Sequence, residues 1–351
     1  MVTILDCIRR VPELLEGIRL SRHQTMAQVL NTYPQAQRIC LIGSGTSFTA
    51  ASTAQYLMEK YCGLPVSVML PNEFLHMRTC RDPQALHIFI TQTGTSSALV
   101  QALKVCRESG LMNAVLSEKP DTPAAQMASA FIAMGCGHEE YPISTIGYST
   151  TICTLLMLGM AMGEKRGVLT AAEIDALDGQ LLAAAGNIPH VVDGALRWMD
   201  VSRRRIMRSR FIAFTGAGTL YGVAMEAAVK TWEAPQYPSA GYELDEGMHG
   251  PNFGYGPNDA VIVLSDGGMG RDKALALARY MKNEFGNGYL IGPDAIDEND
   301  LAFTPQGGDF ACLEYAAAVQ TFMYRLAEDG GRDMTVRDPH TVMYSYFNSH
   351  S

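Results

Sequence analysis

RICLIGSGTS at residues 38–47 and FIAFTGAGTL at residues 211–220 are two versions of one segment. Each is an apolar run ending in Gly-x-Gly-Thr, and Gly43 and Gly216 stand 173 positions apart. The same spacing pairs Pro65 with Pro238, Glu73 with Glu246 and His76 with His249. Shifted by one, it pairs Thr91-Gln92-Thr93-Gly94 with Ser265-Asp266-Gly267-Gly268. A register held over about 50 residues identifies an internal duplication. A buried strand ending in a Gly/Ser/Thr-rich turn sets backbone N–H groups and hydroxyls at a helix N-terminus, which is an anion site.

The chain has 351 residues, more than one core usually serves, so two domains are expected. It is 47% hydrophobic and 18% charged, the balance of a well-packed globular protein. A net charge of −9 argues against a nucleic-acid partner. Eight cysteines are scattered without a C-x-x-C pair or metal-ligand spacing, so reduced, buried thiols in a cytoplasmic protein are expected. Asp6, Arg9, Arg10 and Glu13 interrupt any signal-peptide core. The longest apolar stretch, 151–162, is shorter than the roughly 20 residues of a bilayer span, so no membrane segment is expected.

Apolar periodicity predicts helix over residues 1–36, then strands at 39–42, 66–70, 87–91, 114–116 and 130–134 with helices between them. A long apolar helix is expected at 145–163 and a connecting helical stretch at 170–208. The second copy repeats the pattern with strands at 211–215, 260–264 and 288–291 and helices at 223–232 and 272–283. Alternating strands and helices give an α/β fold, two parallel sheets each flanked by helices. The expected division is a helical segment at 1–34, domains at 35–169 and 207–335 joined by helices at 170–206, and a tail at 336–351 packing near the active site.

Two loops carry the anion chemistry. Ser44, Gly45, Thr46 and Ser47 follow the first strand, and Thr91, Gln92, Thr93 and Ser96 follow the third. Both emerge at the carboxyl edge of a parallel sheet, where ligands bind near a switch point. Phe48 stands where a dinucleotide fingerprint needs its third glycine, and no Gly-Lys-Ser/Thr follows, so nucleotide binding is not expected. In the second copy Glu226, Lys230 and Glu233 fall on one helix face, ahead of His249 in a turn rich in acids. A carboxylate and a His form the pair that aldose–ketose proton transfer needs.

These motifs together resemble the sugar isomerase (SIS) family in its tandem form: GSGTS at 43–47, TQTGTSS at 91–97, STIGYSTT at 144–151, AMEAAVKTWE at 224–233 and EGMHGP at 246–251. The resemblance covers roughly residues 35–335 and is to the isomerase half of glucosamine-6-phosphate synthase and to bacterial fructosamine-6-phosphate deglycases. It implies two α-β-α, flavodoxin-like domains. Ser44, Thr46, Ser47, Thr91, Gln92, Thr93 and Ser96 would hold a sugar phosphate, and Ser144 a sugar hydroxyl. Glu233 would be the proton-transfer base, Lys230 its sugar-contacting neighbour and His249 the ring-opening group. In the family that His reaches a partner subunit's site, so a homodimer or larger homo-oligomer with shared sites is expected.

The chain departs from the synthase at three points. No N-terminal glutaminase is recognisable, Ile146 replaces a lysine, and the last lysine is Lys282, so the tail lacks the family's catalytic lysine. The resemblance therefore implies a deglycase acting on a 6-phosphorylated Amadori sugar, without metal or redox cofactor. A plain aldose–ketose isomerase, an amino-sugar phosphate deaminase and a non-catalytic sugar-phosphate sensor are the alternatives.

Overall fold

The computed structural model describes residues 2–335 and Tyr346; the expected tail contact at 336–351 lies outside the described residues but for that tyrosine. The packing resolves two units. The first comprises residues 13–139 and 146–178; the second takes residues 2–12, 140–145 and 179–335.

The first unit holds the sheet strands β1 (Arg38–Ile42), β2 (Val66–Met69), β3 (Ala85–Ile90), β4 (Asn113–Ser117) and β5 (Phe131–Ala133). All pair in parallel, in the order β2-β1-β3-β4-β5. Helix α1 (Ile4–Thr32) precedes them, and α2 (Thr46–Cys62), α3 (Ser97–Glu108), α4 (Pro123–Met127) and α5 (Ile146–Arg166) cross between or follow them. The six residues of β3 are all buried, as a strand covered on both faces requires. Each such Leu, Ile or Phe contributes about 1.5–3 kcal/mol by leaving water.

Helix α6 (Ala171–Ile206) leads into the second unit, with β6 (Phe211–Gly216), α7 (Thr219–Glu233), β7 (Ser239–Glu243), β8 (Asp259–Leu264), α8 (Arg271–Tyr280), β9 (Gly288–Gly292), β10 (Leu301–Ala302) and α9 (Ala311–Asp329). Its sheet, ordered β10-β9-β8-β6-β7, is the first sheet again strand for strand, and all parallel. The duplication extends to single hydrogen bonds: Ile39 N donates to the Pro65 carbonyl and Ile212 N to that of Pro238, both at 2.9 Å. The one-residue shift is visible too, since Arg38 pairs with Ala85 and Phe211 with Asp259.

Gly-x-Gly has a physical reason in both copies. Gly45 and Gly218, each just before a helix, hold φ 56°, ψ −132° and φ 58°, ψ −126°. L side chains are strained there, so only glycine turns the chain into the helix at no cost. Gly43 and Gly216 lie so close to the next helix that a Cβ would stand 2.9 Å from Ser47 and 2.8 Å from Leu220.

The structure departs from expectation in several elements. Strand β7 and helix α9 are additional, and so is β10. Helix α5 is 21 residues long, and its length and hydropathy match a bilayer span, unlike the 12-residue stretch read from sequence. Its apolar window is fully buried, so here it is a core helix packed against α2.

Candidate active site

In the first unit the chain passes from β1 to β2 on one side and then crosses to β3 on the other. The sheet's switch point therefore lies between β1 and β3, whose pairing runs from Arg38–Ala85 to Ile42–Phe89. Both hydroxyl loops leave the sheet there, on neighbouring strands. Ser44 and Gly45 are exposed, Thr46 and Ser47 half-buried. Thr93 is exposed and Ser96 half-buried, while Thr91 is buried and accepts the Gly94 N–H at 3.2 Å, closing the turn. Gly94 sits at φ 70°, and a Cβ would stand 2.3 Å from Thr122, the cap of α4. The hydroxyl of Thr93 meets that of Thr95 at 2.9 Å. Neither α2 nor α3 is capped by its N-cap side chain. Two helix starts are thus aimed at the switch point among hydroxyls.

Gln92 engages a carboxylate. Its Nε2 donates to Glu139 Oε2 at 3.4 Å, and its amide lies against Gly147 in the first turn of α5. Glu139 was not singled out by sequence, yet it accepts from Ile146 N at 2.9 Å and Gly147 N at 3.5 Å. A carboxylate on a helix start is favourable, and here it draws Gln92 with it. Ser144 falls in the 140–145 segment that packs with the second unit, where α9's Gln320 donates to the Thr145 carbonyl at 2.9 Å.

In the second unit the loops after β8 and β7 each hold a carboxylate that accepts from nearby backbone. Asp266 Oδ1 accepts from Gly268 N at 2.8 Å, and Glu243 Oε2 accepts from the N–H groups of Asp245 and Glu246 at 2.7 and 3.0 Å. What this unit offers instead is on α7. Lys230 and Glu226 are buried; Lys230 Nζ lies 2.7 Å from Glu233 Oε2 and 3.7 Å from Glu226 Oε1. Glu233, one turn on, keeps 31% of its side chain exposed. The buried ammonium fixes one carboxylate oxygen and leaves the group reachable.

His249 caps the short helix Glu246–Met248 and is exposed. Its Nδ1 lies 2.9 Å from the Asp245 carbonyl. A carbonyl only accepts, so Nδ1 carries a hydrogen and Nε2 is the nitrogen not used in that bond. The paired residues Glu73 and His76 lie instead in a single π-helical turn, Glu73–Met77. No cluster of three or more potential metal ligands occurs among the described residues.

A parallel sheet with two hydroxyl loops at its switch point, repeated with a carboxylate–lysine pair, defines a tandem α/β protein with SIS-like domains. Residues 33–162 match the family model described as SIS domain. That match covers the first sheet and its helices, and the relatives the chain resembles over a longer span are aminotransferases with isomerizing names. It is 26% identical over 310 residues to a glutamine–fructose-6-phosphate aminotransferase (isomerizing) of Zymomonas mobilis, covering 86% of this chain and 50% of that one. The same-named enzyme of Tropheryma whipplei is 29% identical over 318 residues, covering 85% and 50%. The C-terminal domain of glucosamine-fructose-6-phosphate aminotransferase from Francisella tularensis superposes with a TM-score of 0.84 at 20% identity, covering 94% and 97%. The chain spans about half the length of these two curated relatives.

Proposed function

We propose that the chain is an aldose–ketose isomerase acting on a hexose or amino-sugar phosphate. The observation that carries this is the α7 pair, a half-exposed Glu233 held at 2.7 Å by a buried Lys230. The phosphate would bind the hydroxyls of Ser44, Thr46, Ser47 and Thr93 and the starts of α2 and α3, contributing affinity away from the reacting carbons. His249, through Nε2, would take the anomeric hydroxyl proton and pass it to the ring oxygen as the ring C–O bond breaks. Glu233 would then remove the proton from the carbon beside the carbonyl, giving an enediol or enaminol, and return it to the neighbouring carbon. Each unit carries one SIS domain on this reading, and a homo-oligomer completes the sites.

The isomerizing names of the curated relatives favour this over the deglycase reading. Deglycation shares every step through the enaminol and then adds water to the resulting imine, releasing an amine. The exposed acids Asp245 and Glu246 beside His249 are what would favour a cationic amine.

The test is incubation with 6-phosphorylated aldoses, ketoses, amino sugars and fructosamines in heavy water, followed by NMR. Exchange of the proton beside the carbonyl with aldose–ketose interconversion is the expected result. Free amine from the fructosamine alone would establish deglycation, and no exchange with any substrate would remove both.

A further inference from the structure

Glu139 lies in the segment between β5 and α5 and is half-buried. Its Oε1 accepts from Ile146 N at 2.9 Å, and its Oε2 from Gly147 N at 3.5 Å and from Gln92 Nε2 at 3.4 Å. One carboxylate therefore joins the loop after β3, half of the proposed phosphate site, to the first turn of α5. The N–H groups at that helix start temper its charge.

Gln92 is held along its whole length. Its backbone carbonyl accepts from Glu118 N at 3.1 Å, and the turn that follows is closed by the Thr91 hydroxyl on Gly94 N. Its amide fills the notch where Gly147 has no side chain. A Cβ there would run into Gln92 Oε1 and stand 2.9 Å from its Cδ. A carboxylate only accepts, so the amide nitrogen is the atom that faces Glu139. A Gln amide can otherwise turn over and offer its oxygen in place of a donor. Here the neighbouring charge selects one orientation.

In the second unit the matching turn ties to itself. Asp266 stands at the place of Gln92, and its Oδ1 accepts from Gly268 N at 2.8 Å, two residues on. The link from this turn to the next helix is a feature of the first copy's Gln92 and Glu139.

We infer that Glu139 is a positioning residue for phosphate recognition and acts through Gln92. It selects the orientation of the Gln92 amide and keeps it in the Gly147 notch, so a phosphate meets a pre-set donor next to Thr93. The inference rests on the phosphate site proposed above. Ordering a long polar side chain before the ligand arrives is worth about tenfold in affinity. Charge alone predicts the opposite sign: a carboxylate near an anion weakens its binding, so neutralising Glu139 would tighten it.

The test is the binding of fructose 6-phosphate to the full chain by isothermal calorimetry, which needs no turnover. Gly147→Ala keeps Glu139 and Gln92 but pushes the amide, the far end of a flexible side chain, out of its notch. Alanine suits a helix better than glycine, so the melting temperature should hold or rise while affinity falls about tenfold. Glu139→Gln has the same shape but donates as well as accepts, and so no longer selects one orientation. It should also weaken binding about tenfold, as should Gln92→Ala. Combining Glu139→Gln with Gln92→Ala should cost nothing beyond Gln92→Ala alone. Unchanged affinity in Gly147→Ala, tighter binding in Glu139→Gln, or additive losses in the double variant would overturn the role of Glu139 while leaving the phosphate site intact. A wild-type chain that binds neither fructose 6-phosphate nor inorganic phosphate would remove the site, and this role with it. Where Glu139→Gln does not fold, Gly147→Ala decides.

Discussion

Lys230 and Glu233 stand one turn apart on α7, Nζ to Oε2 at 2.7 Å, the lysine 2% exposed and the carboxylate 31%. The lysine also lies 3.7 Å from Glu226, which is fully buried. One ammonium thus serves two carboxylates, one sealed in the core and one facing out. The arrangement stiffens Glu233, the group that on the proposed reading would meet a carbon-bound proton, and it separates the two carboxylates under mutation.

Glu233→Gln keeps the shape and a hydrogen bond but cannot accept a proton. Turnover should fall by about 10²–10⁴-fold, the usual worth of a general base, while sugar-phosphate affinity stays within a few-fold. Isothermal calorimetry beside the exchange assay separates the two effects. Retained activity would leave Glu233 a surface carboxylate.

Lys230→Met removes the ammonium that stands 3.7 Å from the buried Glu226 carboxylate. Unfolding free energy should drop by about 3–5 kcal/mol, and adding Glu226→Gln should recover much of it. Chemical denaturation of the single and double variants checks this. The double variant should remain inactive, since Glu233 has lost its positioning partner.

If His249 completes a neighbour's site, chains carrying Glu233→Gln and His249→Ala should each be inactive alone and regain activity on mixing. With random exchange in twofold dimers, about a quarter of the wild-type rate returns. Silence after proven exchange would place both residues in one chain's site.

Gly94→Ala should weaken both fold and phosphate affinity more than Gly45→Ala. Both sit at positive φ, with a strain of about 1–3 kcal/mol for a non-glycine residue. At Gly45 the added methyl meets nothing within 4 Å, whereas at Gly94 it runs into Thr122. Thermal melts with and without a sugar phosphate measure the difference.

Burial pushes the Cys40 thiol up from its usual 9.0 to about 11, and Cys106 and Cys136 to about 12. Their folded values exceed the unfolded one, so the stability they contribute is intact below pH 9 and is lost as pH rises through 11 to 12. Denaturation midpoints should fall across that window. Near pH 7 these three should resist alkylation while Cys80 reacts.

The strands that carry the candidate loops were legible because β1, β3, β6 and β8 are short apolar runs closed by Gly, Thr or Ser. Strand β7 was not: SAGYE follows two prolines, contains a glycine and forms an edge of its sheet, paired only with β6. Helix α9 hid for the opposite reason. It is buried on nearly every side, so no polar face remains to give a 3.6-residue period. Within the site, the hydroxyl loops and the α7 face were readable as local patterns. Glu139 was not, because it reaches α5 from seven positions upstream, outside any capping spacing.

Asp266 folds back onto Gly268 N, so one donor of that loop is already engaged by a carboxylate of its own chain. The repeated turn of the first unit has Gln92 at the matching position. The two copies of one turn therefore differ in sign: an anion nearing the second meets a negative charge already in place, and at the first it meets hydroxyls and amides.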